Sequence, residues 1–208
     1  MKPIFLDWDG VLIDSLNIYL DLFVDLCQEW GKTLPIADAK GFRDWYQPNW
    51  EINFAELGFT EEEYQKICAE YPDVLDYNKA PLFEGVTKMV SELSKTNPLV
   101  VVSTAPTANI EKRLKEAGLR EHFAAVTGSD DGSTDKTARL QKLQERFGTG
   151  GLMVGDTDLD VKSGREAGLV TVGVTYGWLS AERVEDSKPN FLVSKPEELQ
   201  ATVQQALN

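Results

Sequence analysis

Short apolar runs rich in β-branched residues recur through the second half of the chain, separated by stretches with a different rhythm. Leu99 to Ser103, Phe123 to Thr127, Gly151 to Gly155, Leu169 to Thr175 and Phe191 to Val193 are such runs. Uninterrupted apolar runs of this length suit strands buried on both faces. Around and between them, apolar positions fall at helical spacing: Val86 to Leu93, Ile110 to Ala117, Ala138 to Phe147 and Leu159 to Ala167. Gly118, Gly148 and Gly168 stand where helix C-caps are expected. Repeated strand–helix alternation predicts an α/β fold, a doubly wound, Rossmann-like parallel sheet with helices on both faces. Ile4 to Trp8 reads as one further strand of that sheet.

The stretch from Ser15 to Ala80 has another character. β-Branched runs are few, and helices are predicted, for example over Leu16 to Trp30 and Glu61 to Tyr71. It holds 12 of the chain's 20 aromatic residues, and its 13 acidic against 5 basic residues supply −8 of the total charge of −13. The simplest division is an α/β core of residues 1–15 and 81–208, interrupted by a helical subdomain of residues 16–80.

Composition narrows the function by exclusion. With 208 residues, 42% hydrophobic and 26% charged, the chain has the make-up of an ordinary globular protein. Leu99 to Val102 is typical of its longest apolar stretches, far short of the roughly 20 residues that a membrane-spanning helix needs. Asp7 interrupts the N-terminal apolar run too early for a secretory signal. Cys27 and Cys68 lack metal-ligand spacing and read as reduced packing residues of a cytoplasmic protein. Lys and Arg total 21 against 34 Asp and Glu. A surface of that charge disfavours nucleic acid and anionic membranes, which are bound chiefly through Lys and Arg.

Ligand sites of open α/β sheets gather at the carboxyl ends of strands, and reactive residues cluster at the ends of these predicted strands. Asp7-Trp8-Asp9-Gly10 follows the first. Two unpaired acids beside an apolar strand are costly unless a cation neutralises them, although an Asp-Gly turn closing a strand is an equal alternative. Gly10 allows a tight turn and close approach of a ligand. Ser103 and Thr104 end a second strand, where hydroxyls and backbone N–H groups could hold an anion or merely cap a helix. Lys136 stands at a helix entry, a position the helix dipole disfavours for a cation; catalytic placement would explain that cost, while by itself the residue reads as a solvated surface lysine. Gly155-Asp156-Thr157-Asp158-Leu159-Asp160 places three carboxylates directly after a strand. Asp156 and Asp160 fall one helical turn apart if the helix has begun, and a divalent cation with oxygen ligands would relieve their repulsion.

These segments, in this order, resemble the four motifs of the haloacid dehalogenase-like superfamily: Asp7-x-Asp9-Gly10 with Asp14-Ser15, then Ser103, then Lys136, then Gly155-Asp156 with Asp160. The helical insertion resembles the cap of the branch that includes phosphoglycolate phosphatases and β-phosphoglucomutase. The resemblance implies a Mg²⁺-dependent phosphatase of a small phosphorylated metabolite, acting as a monomer or homodimer. Asp7 would be the nucleophile and Asp9 the acid and base. Ser103, Thr104, Gly10 and Lys136 would bind the phosphoryl group. The metal would sit on the Asp7 carboxylate, the Asp9 backbone carbonyl and Asp156, with Asp160 or Asp158 in support. Dehalogenases of the family lack an acid at the position of Asp9, so dehalogenation is disfavoured. In the cap, Arg43, Trp45 and Trp50 are the candidate substrate contacts, with simple packing of the cap the favoured account for the aromatics. A sugar-phosphate mutase using the same aspartyl phosphate, and a catalytically silent binding relative, are the alternative functions.

Overall fold

The computed structural model describes residues 1–131, 133 and 135–207, without the side chains of 71–74. Among the described residues, strands β1 (Ile4–Leu6), β2 (Leu99–Val102), β3 (Phe123–Thr127), β4 (Leu152–Gly155), β5 (Val170–Val174) and β6 (Phe191–Val193) form one parallel sheet. Their order is β3-β2-β1-β4-β5-β6. Alternate residues of the central strands feed different cores, as the two-residue repeat of a strand requires. Ile4, Leu6, Leu99, Val101, Leu152 and Val154 join the larger cluster. Phe5, Val100, Val102 and Met153 pack on the opposite face with Leu140. Both faces are thereby covered, which is why these strands read as continuous apolar runs.

The helices are α1 (Leu16–Glu29), α2 (Ala39–Trp45), α3 (Trp50–Glu56), α4 (Glu61–Val74), α5 (Val86–Leu93), α6 (Thr107–Glu116), α7 (Lys136–Phe147), α8 (Asp158–Glu166), α9 (Ala181–Asp186) and α10 (Leu199–Leu207). Gly118, Gly148 and Gly168 all have positive φ at helix ends, as expected. Helices α6 and α7 begin earlier than the apolar spacing predicts, because their first turns lack the large apolar residues that carry the signal, and α7 is also capped. Asp135 accepts the Thr137 N–H at 2.9 Å at the start of α7. Strand β1 is shorter than predicted. Trp8 already belongs to a tight turn, its carbonyl accepting the Leu12 N–H at 3.0 Å.

Helices α1 to α4 lie between β1 and α5. The chain leaves and re-enters the sheet layer at one place, where Asp14 N–H donates to Pro81 O at 2.8 Å and Ile13 bridges Leu82. The aromatic wealth of this segment builds its core. Phe23, fully buried, packs against Phe54 at 5.3 Å, Trp45 at 5.6 Å, Phe42 at 5.7 Å and Trp50 at 5.8 Å. Arg183 of α9 ties the segment to the sheet layer by donating to the exposed carbonyl end of α2: Tyr46 O at 2.7 Å, Arg43 O at 3.2 Å and Asp44 O at 3.3 Å.

Candidate active site

Parallel registers align the ends of three strands. Leu6 lies opposite Val101 on one side and Val154 on the other, so Asp7, Ser103 and Asp156 emerge together. Asp7 is nearly buried, and its Oδ1 accepts the Trp8 N–H at 2.9 Å and faces Lys136 Nζ at 3.2 Å. Burial pushes its carboxyl up to about 6, with Lys136 pulling the other way and Asp160 adding to the rise. Asp9 lies beyond the strand. Its Oδ1 accepts the Ser15 hydroxyl at 2.6 Å, and its Oδ2 the Tyr77 hydroxyl at 3.4 Å. Burial pushes this carboxyl to about 7, opposed by the Ser15 hydrogen bond.

Lys136 explains its own awkward position at a helix entry. Its ammonium is buried between Asp160 Oδ1, at 2.5 Å, and Asp7. Burial works against the charge, but the two carboxylates outweigh it and hold the proton above the ordinary lysine range. Asp160, rather than Asp158, faces inward. Its Oδ2 accepts the Thr157 hydroxyl at 2.7 Å and completes a capping box at the start of α8, whereas Asp158 is exposed and accepts the N–H of Leu159.

Asp156 is buried, with Oδ2 accepting the Trp178 N–H at 2.5 Å and Oδ1 left without a partner. Burial, then the nearby Asp160 and Asp7, push its carboxyl well above the usual range. Two glycines make room for it. Gly10 has φ +74°, and a Cβ there or at Gly177 would overlap the Asp156 side chain. Ser103 is buried, its Oγ accepting the Ala105 N–H at 3.0 Å, and Thr104 beside it is exposed.

Ligand oxygens of Asp7, Asp156 and Asp160 lie within 4.8 Å of one another. Together with Asp9 they bring four carboxylates against two cations, Lys136 and Arg139. Fully ionised, that set carries a surplus of two negative charges. Hard oxygen donors, an unsatisfied buried carboxylate oxygen and this surplus all fit a divalent cation such as Mg²⁺.

A cavity of about 420 Å³ opens over these groups, bounded on its far side by the helical segment. It brings together Asp7, Asp9, Ser103, Thr104, Lys136 and Asp156 of the expected residues, with Trp50 on the far side. Arg43 and Trp45 are not among its lining residues. Trp45 instead packs on Phe23 and donates its indole N–H to Glu56 at 2.8 Å.

Several participants escaped the sequence reading. Trp178 follows the end of β5 and was accessible to the strand-end rule that found the acids. Arg139 sits one helical turn after Lys136. It is buried and donates from one guanidinium nitrogen to Ser103 O at 2.6 Å and Gly128 O at 2.7 Å, joining the ends of β2 and β3. Tyr77, whose hydroxyl meets that of Tyr19 at 2.6 Å, carries no local signal in the sequence.

A model of the haloacid dehalogenase-like hydrolases matches residues 4–174. The chain belongs to that family. Among the relatives of this haloacid dehalogenase-like hydrolase is a phosphoglycolate phosphatase from Synechococcus elongatus, 27% identical over all of this chain and 99% of its own length. An N-acetylmuramic acid 6-phosphate phosphatase from Pseudomonas putida is 26% identical over 100% of this chain and 98% of its own. A haloacid dehalogenase-like protein of known structure from Streptococcus pneumoniae superposes with a TM-score of 0.84 at 24% identity, covering 97% of this chain and 98% of that one. The six-stranded parallel sheet is thus the family's Rossmann-like fold. Among the described residues no helix is long and apolar enough to cross a membrane.

Proposed function

We propose that this hydrolase is a Mg²⁺-dependent phosphatase that cleaves the phosphate monoester of a small metabolite, with residues 16–80 acting as a cap over the site. Asp7 attacks phosphorus as the ester P–O bond breaks, giving an aspartyl phosphate and an alcohol. Asp9 gives its proton to the departing oxygen, and a carboxyl held near 7 still carries that proton close to neutral pH. The resulting carboxylate then takes a proton from a water whose oxygen attacks phosphorus. Phosphate departs and the Asp7 carboxylate is restored. Lys136 and Ser103, with Thr104 and the backbone at Gly10, bind the phosphoryl oxygens, where preorganised charge and positioning do most of the catalysis.

The Asp7 and Asp156 carboxylates and the Asp9 carbonyl would hold Mg²⁺, which supplies the charge neutralisation that brings an anionic nucleophile to an anionic phosphate. Asp160 acts from behind, because both its oxygens are engaged by Lys136 and Thr157. The chief support is Asp156 Oδ1, buried without a partner in a cluster of carboxylates only 4.8 Å across. Phosphate release from a panel of metabolite esters, with Mg²⁺ and with EDTA, tests the reading beside Asp7→Asn. Release should need the metal and vanish in the variant. Release that survives Asp7→Asn would remove Asp7 from its role.

A further inference from the structure

The cavity has two unlike halves. The sheet side carries every charged lining residue among those described: the carboxylates, Lys136 and Arg139. The opposite side is mainly aromatic, with Tyr19, Tyr46, Trp50 and Tyr64 beside the uncharged Pro48, Asn49 and Cys68, joined by Trp178 from the loop after β5. No Lys, Arg, Asp or Glu of residues 16–80 is among the described lining residues, although that segment holds 18 charged residues in all.

The rings form a preassembled wall. Trp178 meets Tyr19 at 4.3 Å and Tyr46 at 5.0 Å, and Tyr19 meets Trp50 at 5.9 Å, all edge to face. Their polar ends are directed to protein partners. The Trp50 indole N–H donates to the Tyr46 hydroxyl at 2.9 Å, the Trp178 indole N–H to Ser15 Oγ at 3.2 Å, and Tyr19 bonds Tyr77. What the wall offers a ligand is therefore mainly ring carbon.

Resting on the phosphatase reading, we propose that the alcohol released by this enzyme is uncharged and cyclic, a sugar or an aryl alcohol docked by one ring face against the aromatic wall. A phosphoryl group seated among Asp7, Ser103 and Lys136 puts the rest of the ester against that wall. An anionic leaving group, such as a carboxylate or second phosphate, would be desolvated there against the negative faces of the rings with no cation to meet it. A quaternary ammonium would be attracted by ring faces, but among the described lining residues the carboxylates that would complete its neutralisation all lie on the sheet side. A ring with an apolar face gains buried contact and loses no solvated charge. Among the described lining residues the helical side offers no cation for a second phosphate, which disfavours a bisphosphate intermediate and with it the mutase alternative.

The experiment compares phenyl phosphate, glucose 6-phosphate, phosphoglycolate, pyrophosphate and phosphocholine in two ways. Turnover of the wild type with Mg²⁺ gives kcat/KM for each. Equilibrium binding to Asp7→Asn with Mg²⁺, read by tryptophan fluorescence, ranks the same compounds without chemistry. The better cyclic ester should exceed every charged acyclic compound by roughly tenfold or more in both, and phenyl against glucose separates an aryl from a sugar preference. Trp50→Ala should lower the preference for the cyclic ester over phosphoglycolate roughly tenfold, and Trp50→Phe should restore much of that preference. Phosphoglycolate, pyrophosphate or phosphocholine equalling the best cyclic ester in binding would overturn the proposal. Absence of all turnover would overturn the phosphatase reading alone, since the binding ranking on Asp7→Asn still decides this one.

Discussion

Replacing Lys136 by Met removes the ammonium that lies 3.2 Å from Asp7 and 2.5 Å from Asp160. At an effective dielectric near 20, charges at these separations attract by about 5 and about 7 kcal/mol. Desolvating the buried ammonium takes back several kcal/mol. A net loss of about 3–5 kcal/mol is expected, the usual cost of leaving a buried charge without its partner. For a chain of this size that lowers Tm by roughly 6–20 °C. The loss depends on pH with a definite sign. Burial raises the Asp7 carboxyl to about 6 against the downward pull of Lys136, so without the ammonium the folded-state value rises further. A carboxyl whose folded value exceeds its unfolded value of about 3.9 favours folding below that value, and the advantage disappears as pH climbs through the folded one. The variant therefore loses stability relative to the wild type mainly above about pH 6, where the wild-type carboxyl is already ionised and the variant's is still losing its proton. Urea denaturation in EDTA, followed by tryptophan fluorescence at pH 5 and pH 8, measures both gaps. A gap under about 1 kcal/mol at pH 8, or one wider at pH 5, would refute this account of the buried triad.

Asp7, Asp9 and Asp156 all have carboxyls raised by burial, so the metal-free wild type should lose stability as pH rises from about 4 to about 7. Mg²⁺ requires the ionised forms. Its stabilisation should be large at pH 8, about 2.7 kcal/mol at a hundredfold excess over Kd, and small at pH 5; thermal melts with and without Mg²⁺ at the two pH values would contradict this if the pH 5 shift were the greater. Gly177→Ala places a methyl group against the Asp156 side chain and the Gly10 carbonyl. It should lower kcat by about a hundredfold through displacement of that carboxylate, with a stability change of only about 1–3 kcal/mol; a variant of unaltered kcat would show that Asp156 has freedom to move without consequence.

The acids were legible for a physical reason. A parallel sheet buried on both faces leaves its functional side chains at the strand ends, so Asp7, Ser103 and Asp156 stand where an apolar run stops. The registers that align those ends follow from the same runs. Lys136 was legible through the order of the family's motifs, since by its position alone a lysine at a helix entry reads as a solvated surface residue; the buried carboxylates on either side explain why it tolerates the dipole. Arg139 carried no such signal, being an ordinary residue for a helix, and its burial depends on carbonyls from two distant strands. Tyr77 reaches Asp9 across 68 positions of sequence, and Tyr19 through Tyr77. In the helical segment, Trp45 and Trp50 are alike in composition and differ only in which side of their helices meets the cavity.

Charge is divided between the two sides of the cavity in a way composition hides. Residues 16–80 are strongly acidic, yet the face they turn to the cavity is aromatic and, among the described lining residues, uncharged. Their described acids serve the solvent-facing surface, and the aromatic surplus serves both the core around Phe23 and the wall around Trp50. Net charge therefore carries little information about the ligand, because a field averaged over the surface is screened within about 8–10 Å at ordinary salt. The lining decides instead. Where four carboxylates face two cations, a metal and a phosphate can balance. Where rings face rings, the cheapest group to bury is one that leaves no charge behind in water.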